Sequence, residues 1–446
     1  MPRTSSRPKI AVIGSGVAGL SAAWLLSKTA EVTLYEKDAR TGGHANTVML
    51  RGLPPVDTGF IVYNELNYPN LVALFERLGV ETEATDMSFA VSLDGGKVEY
   101  GGRGLDPIIG RPSNLFRPRF LSMMGDLLRF YREAPGKLEE VEDTLITLGE
   151  FLDHHGYGEP FCEDHLLPQA AAIWSAPCEA IRDFPAAAFI RFFENHGLLK
   201  LAGRPLWRTV TGGSRQYVEK LLADYSGKVR LDCAVQRVTR TDAGVEVTDH
   251  SGETLSYDKV VIAAHADQAL KMLADPTSDE IEVLGAFRYT RNTAVLHTDE
   301  SLAPRRKRLW SAWNYVGEKT KDSARALCVT YWMNLLQNLE TKQPLLLTLN
   351  PTHQIAPDKV LHSVDYDHPL FDSAAIAAQK RLVELQGQGG VYYCGAYFGS
   401  GFHEDGLQAG LWAAEAAGAR PRPWKRAGQN ARLALPEALG GEAAAA

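Results

Sequence analysis

Cysteine is scarce in this chain: Cys162, Cys178, Cys233, Cys328 and Cys394 are scattered over 446 residues and form no Cys-x-x-Cys pair. That distribution argues against a disulfide framework and fits a reducing, cytoplasmic compartment. No stretch of about 18 uninterrupted apolar residues occurs, and no secretory leader is read ahead of the first motif. A soluble or peripheral protein is therefore expected. Positive charge is in deficit too, 47 Lys+Arg against 54 Asp+Glu, a net charge of −7. A general nucleic-acid binder needs a substantial basic face, so that class is set aside. No metal site is assigned. The 45% hydrophobic and 23% charged content is that of an ordinary packed protein, and the length calls for two domains. The oligomeric state is left open.

Glycine, by contrast, is plentiful, with 40 residues, and its placement carries the information. An apolar run, Lys9 to Ile13, leads into Gly14-Ser15-Gly16-Val17-Ala18-Gly19, a stretch of helical spacing follows, and Val32 to Tyr35 ends at Glu36. This is strand, turn, helix, strand. Gly14 allows the tight turn, Gly16 lets the backbone approach a pyrophosphate, and Gly19 lets helix and strand pack closely. An acidic residue at the second strand's end accepts hydrogen bonds from ribose hydroxyls and repels a 2′-phosphate, so FAD or NAD is favoured over NADP.

Three further segments narrow the choice. Glu36-Lys37-Asp38-Ala39-Arg40-Thr41-Gly42-Gly43-His44 and Asp57-Thr58-Gly59 follow the first motif. Thr211-Gly212-Gly213-Ser214, Val229 to Val238 and Lys259 to Ala264 occupy the middle. Tyr393-Cys394-Gly395 leads into Gly399-Ser400-Gly401-Phe402-His403-Glu404-Asp405-Gly406-Leu407 near the end. Together these resemble the flavin-containing amine oxidase superfamily, which includes monoamine oxidases, phytoene-type desaturases and protoporphyrinogen oxidases. The match looks nearest to a bacterial branch associated with cyclopropane and methyl fatty-acid chemistry, on His44, Trp332-Met333-Asn334 and His403 to Gly406.

The resemblance implies a doubly wound, Rossmann-type α/β domain, discontinuous in sequence, with an inserted α+β substrate domain containing an antiparallel sheet. It implies FAD, held by Gly14, Gly16, Val17, Ala18, Gly19, Glu36, Lys37, Arg40, Gly42, Gly43, His44, Thr58, Gly59, Val235, Gly395, Asp405, Gly406 and Leu407. Cys394 precedes the Gly395 step on the strand itself, whereas the cysteine that attaches flavin in monoamine oxidases lies upstream, so the FAD is expected to be non-covalent. The FAD-binding domain is assigned to 7–88, 205–283 and 388–420, the substrate domain to 89–204 and 284–387, and a flexible tail to 421–446.

Within the insertions, Phe89 to Tyr100 reads as a hairpin about Asp94-Gly95. Leu115 to Tyr131, Leu145 to His155 and Phe161 to Ile173 read as helices, and Asn292 to His297, Arg308 to Tyr315, Leu327 to Met333 and Leu345 to Leu349 as strands. Trp313, Tyr315, Tyr331, Trp332 and Tyr397 are candidates to line a cavity. Arg103, Arg111, Arg117, Arg119, Arg129 and Arg132, interleaved with apolar residues, suit either a solvated helix face or contact with an anionic inner-membrane surface.

For proton transfer, His403 and Glu404 are the preferred catalytic candidates because they abut the expected flavin. His44 is a further candidate, and His297 reads as structural. Three functions stay open: dehydrogenation of a lipid or modified fatty-acyl chain by hydride transfer to flavin N5, oxidation of an amine, and a non-catalytic flavin-binding partner of a lipid-modifying enzyme.

Overall fold

A computed structural model describes residues 7–433 apart from 102–111, 143, 145, 175–177, 201–202, 204 and 320–324. Arg103 and Arg111 therefore lie outside the described residues. In chain order, the elements that position the site are β1 (Lys9–Ile13), α1 (Val17–Leu26), β2 (Glu31–Tyr35), α2 (Pro69–Leu78), β3 (Phe89–Leu93), β4 (Val98–Gly101) and α3 (Pro118–Glu133). They continue with β5 (Lys228–Arg230), β6 (Lys259–Ile262), β7 (Arg288–His297), β8 (Trp313–Lys319), β9 (Arg325–Trp332), β10 (Leu346–Leu349), β11 (Val360–Leu370), β12 (Val391–Tyr393) and α4 (His403–Ala416).

The first sheet is parallel throughout, in the order β5-β2-β1-β6-β12. Its strands are short and apolar because both faces are covered. The chain leaves β1 toward β2 on one side, and β6 returns on the other. The carboxyl end of β1 is thus a topological switch point, where open α/β sheets bind ligands. Helix α1 is buried almost all round, since α4 covers the side turned away from the sheet. The two helices meet at glycine: a Cβ on Gly410 would sit 2.1 Å from the Ala18 carbonyl oxygen, and one on Gly406 would sit 2.9 Å from Val17 Cγ1.

A second sheet of seven strands runs β11-β7-β10-β9-β8-β3-β4. It is antiparallel except where β8 pairs with β3. That exception has a topological cause, because β3 and β4 belong to the earlier insertion and the other five strands to the later one. The two insertions build one sheet. The strand expected from Arg308 starts instead at Trp313, and β11 was not expected at all. Helices of residues 118–199 pack around a separate aromatic core that includes Phe151, Phe161, Phe189 and Phe193.

The flexible tail assigned to 421–446 is corrected over its described part. Trp424 stacks on Trp24 with ring centroids 6.0 Å apart, Arg422 is buried against Glu415 and Asn70, and Arg432 bonds Asp405 at 2.5 Å. A Trp, two Arg and a closing apolar Leu433 anchor a strap of irregular chain that its Pro/Arg-rich composition concealed.

Candidate functional site

One cavity of about 1530 Å³ runs from the carboxyl end of β1 to the seven-stranded sheet. Single small-molecule sites typically occupy about 300–1,000 Å³, so this volume suits a dinucleotide and a substrate together.

The nucleotide half is built by backbone geometry. Gly14 has φ +98°, and a Cβ there would lie 2.6 Å from the Ala263 carbonyl oxygen. Gly16 starts α1 with ordinary extended dihedrals, and a Cβ on it would meet nothing within 4 Å. The space above it is the cradle, facing the free N–H groups and positive dipole of a helix N-terminus. Gly43, at φ +56°, packs against that turn so tightly that a Cβ would lie 2.9 Å from Gly16 Cα, while Gly42 N–H bonds the Ser15 carbonyl at 2.9 Å. The two glycine motifs, far apart in purpose when read along the chain, are one wall. Arg40 lines the cavity and is steered by a bond from Nη2 to the Gly43 carbonyl at 2.9 Å.

Glu36 is buried at the end of β2. Its Oε2 accepts from Ser15 N at 2.9 Å and Ser15 Oγ at 2.5 Å, and its Oε1 accepts from Asp38 N at 2.9 Å. The carboxylate is fixed at the cavity wall with lone pairs to spare for ribose hydroxyls. Val235 lines the same end beside Ala234 and Gln236. In the middle, His44 stacks on Tyr366 at 4.8 Å and lies 5.4 Å from His368. The Tyr366 hydroxyl bonds Asn46 at 2.9 Å and Thr58 Oγ1 at 2.8 Å. Burial pushes His44 well below the ordinary imidazole range and His368 to about 4, so both rings are neutral.

Gly14, Gly16, Val17, Ala18, Glu36, Lys37, Arg40, Gly43, His44, Thr58, Gly59, Val235, Gly395, Gly406 and His403 line the cavity. Gly19, Gly42, Asp405 and Leu407 do not. Gly19 serves packing, its Cβ position being 1.8 Å from the Gly14 carbonyl oxygen. Asp405 instead caps its own helix, accepting from Ser400 N at 3.0 Å and Phe402 N at 2.8 Å, and binds Arg432. Leu407 is buried in the core.

The catalytic expectation for Glu404 is corrected. Its side chain is fully buried away from the cavity. Oε1 accepts from Asn70 N and Nδ2, both at 2.8 Å, and Oε2 from Leu71 N at 2.9 Å. It therefore satisfies free N–H groups in the first turn of α2. His403 stacks face to face on Phe60 at 3.8 Å, and its Nε2 shares a 2.7 Å bond with the buried Tyr217 hydroxyl. Burial lowers its pKa to about 3, so it holds no proton to donate as an imidazolium near neutrality. His297 is structural, as read: Asp299 N donates to Nδ1 at 3.0 Å and Nε2 lies 2.7 Å from Thr348 Oγ1. Cys394 is buried just after β12 and does not line the cavity.

The substrate half has two walls. On the seven-stranded sheet stand Met87, Phe89, Trp313, Tyr331, Leu347 and Leu349; on the helical side stand Ile173, Trp174, Phe192, Leu198 and Phe402. Trp313 and Tyr331 meet edge to face at 4.8 Å, and Tyr397 is also present. Tyr315 and Trp332 are not. Tyr315 shares the face of Trp313 and Tyr331 but is buried in the core next along the strand, and Trp332 points to the opposite face, against Trp310 at 5.5 Å. All charged residues that line the cavity, Glu36, Lys37, Asp38, Arg40, Lys271, Arg291, Asp365 and Asp367, belong to the nucleotide half or to β7, β11 and the helix that follows β6. Arg291, Asp365 and Asp367 thus share the seven-stranded sheet with the apolar wall, on its β7 and β11 strands, and among the described residues no charged side chain of the lining comes from β3, β8, β9, β10 or the helical side.

The fold and this glycine-lined cleft define an FAD-dependent oxidoreductase. The model of the flavin-containing amine oxidoreductase family matches residues 17–351, and the chain belongs to that family. A Mycobacterium tuberculosis protein named as a flavin-containing monoamine oxidase is 24% identical over 327 residues, which span 71% of this chain and 68% of that one. Bovine flavin-containing amine oxidase B is 26% identical over 280 residues, 58% of this chain and 50% of its own length. Among solved structures, a CLA-producing fatty acid isomerase from P. acnes superposes with a TM-score of 0.65 at 15% identity, covering 92% of this chain and 97% of that one. Putrescine oxidase bound to putrescine gives 0.67 at 13% identity, covering 93% and 99%.

The pocket fits FAD on its own terms. Gly16 keeps the cradle open, Glu36 and Arg40 are held at its rim, and the cavity-lining Nε2 of His44 and hydroxyl of Tyr397 are buried without a partner in the protein.

Proposed function

We propose that this protein dehydrogenates a neutral, apolar chain, a lipid or modified fatty-acyl group. The observation that carries this reading is that neither the wall on β3, β8, β9 and β10 nor the helical wall carries a charged side chain among the described residues: an ammonium or a carboxylate placed between them would be desolvated without an adjacent counter-charge, which proteins avoid. FAD, when bound, supplies the two-electron acceptor. The substrate loses two electrons and two protons as one C–C bond becomes C=C. The chain's own contribution is to exclude water with aromatic walls and to hold the alkyl segment against the cavity's central wall of Phe60, Tyr397 and His403.

Access from a lipid phase forms part of the same proposal. Helix α3 buries Phe120, Met123, Leu127 and Phe130 and leaves Leu121 and Leu128 half exposed on the opposite side, while Phe116 just before it is 86% exposed. Its arginines give less free charge than expected: Arg119 pairs with Asp164 and Glu159, Arg129 with Asp126, and Arg132 with Glu133. Apolar insertion, more than charge, is then the contact made with an inner-membrane surface.

Incubating FAD-loaded protein and an electron acceptor with a bacterial lipid extract tests the proposal. The expected product is an acyl lipid lighter by two hydrogens in mass spectrometry. Deamination of amines with unchanged lipid would support the amine-oxidase reading instead, and no turnover of either would support a non-catalytic partner.

A further inference from the structure

The helical wall of the cavity contains polar atoms that neither the fold nor the flavin site uses. His196, Trp174 and Gln169 are each more than nine-tenths buried and line the cavity. His196 Nδ1 lies 2.9 Å from the Phe192 carbonyl, so that nitrogen carries the hydrogen and donates it. Nε2 is then a bare acceptor, and it has no partner in the protein. Trp174 Nε1–H, a pure donor, and Gln169 Oε1 likewise have none. His196 and Trp174 pack on the same ring: Phe192 lies 3.9 Å from one and 4.6 Å from the other, with Phe402 stacked alongside at 4.8 Å. Native interiors rarely bury unsatisfied groups, and an unpaired donor and an unpaired acceptor on two residues that flank Phe192 in an apolar wall point to a polar group of a ligand.

We propose that His196 and Trp174, assisted by the Gln169 amide, form a subsite for an uncharged hydroxyl-bearing head, an alcohol or a carboxylic acid in its protonated form. The head's O–H donates to His196 Nε2, and a second polar atom of the head or of the adjoining chain accepts from Trp174 Nε1–H. A hydrocarbon or a methyl ester leaves the acceptor unpaired. An ionised carboxylate would face the imidazole lone pair, and Arg432, whose charge is felt at His196, is committed to Asp405. Burial and Arg432 keep His196 neutral, with a pKa of about 3. This inference rests on the apolar-chain reading and names the chemistry at the chain's end.

Isothermal titration of FAD-loaded protein with dodecan-1-ol, dodecanoic acid, methyl dodecanoate and dodecane tests it. The alcohol or the acid is expected to bind at least tenfold tighter than the ester and the alkane. His196→Phe should abolish that preference while leaving the dodecane affinity and the flavin-to-protein ratio unchanged, and Trp174→Phe should reduce it. The heads are told apart by pH: alcohol binding stays level, and binding of the acid weakens as its carboxyl ionises above about pH 5. Equal binding of all four ligands, or tighter binding of the ionised acid, overturns the subsite and leaves the cavity reading intact. Failure of all four to bind overturns both.

Discussion

The two halves of the cavity are made by different means. The nucleotide half is mostly backbone: glycines at fixed spacing, a helix N-terminus and one anchored carboxylate close to β1 in sequence, completed by Val235, Gly395 and Gly406 from further along the chain. The substrate half is side chain, brought together from β3, β8, β9, β10 and two helices that are hundreds of residues apart. Changes in the first half should therefore separate fold from cofactor, and changes in the second should separate cofactor from substrate.

The largest effect is expected at Gly16. Its Cβ position is free and its dihedrals suit any residue, so Gly16→Val should fold with a melting temperature near the parent's. The cradle would be filled, and FAD affinity should fall by about 100-fold, near 2.7 kcal/mol, read as the flavin-to-protein ratio after gel filtration. Gly14→Ala is the contrasting probe. Positive φ and the 2.6 Å approach to Ala263 should make it lose folded yield as well as flavin. A Gly16→Val protein that keeps its flavin would break the comparison.

Next in size is the substrate wall. Trp313→Ala should raise KM for an acyl substrate by about 10- to 100-fold, because a large buried aromatic contact is worth some 1.5–3 kcal/mol, with the flavin spectrum unchanged. Glu404→Gln should act on stability alone, costing about 1–3 kcal/mol, since the amide nitrogen would oppose an N–H of Asn70 or Leu71. Chemical denaturation reads the loss, and kcat per bound flavin should change less than twofold.

Smaller still is the pH dependence. His44, His196, His297, His368 and His403 have their pKa lowered by desolvation. Below about 6.5 each takes up a proton on unfolding, so the unfolded chain binds more protons and stability rises with pH. Asp57 and Glu404, pushed by burial up to about 6 and about 7, act the other way. Protonated in the folded state and ionised in the unfolded one, Asp57 acts between about 4 and 6 and Glu404 between about 4.5 and 7. Five groups against two leave a net gain, so the melting temperature should climb from pH 5 to 6.5. A fall over that interval would contradict the neutral assignment of these rings.

The contrast also explains what could be read along the chain. The Gly14 to Gly19 motif and Glu36 carry their geometry locally, because positive φ, helix start and strand end are properties of neighbouring residues. Which glycine packs and which faces ligand was not legible: Gly19 and Gly42 differ from Gly16 and Gly43 only in what lies across from them. Glu404 and Asp405 resembled site carboxylates because their partners, Asn70 and Arg432, are 334 and 27 positions away. His196 gave one faint signal, a histidine four residues after Phe192 at the C-terminal end of an amphipathic helix whose apolar face carries Phe189, Ile190 and Phe193. β11 was missed because Asp365, Asp367 and His368 interrupt its apolar run, although alternation at Val364, Tyr366 and His368 marks the face that meets the cavity.

The central claim is that the FAD-loaded cavity accepts a neutral acyl chain and refuses a cation. Anaerobic titration of the holoprotein, followed through flavin absorbance, tests it most directly. An acyl lipid should bleach the flavin while putrescine and benzylamine leave it oxidised. Bleaching by either amine with none by lipid would contradict the account.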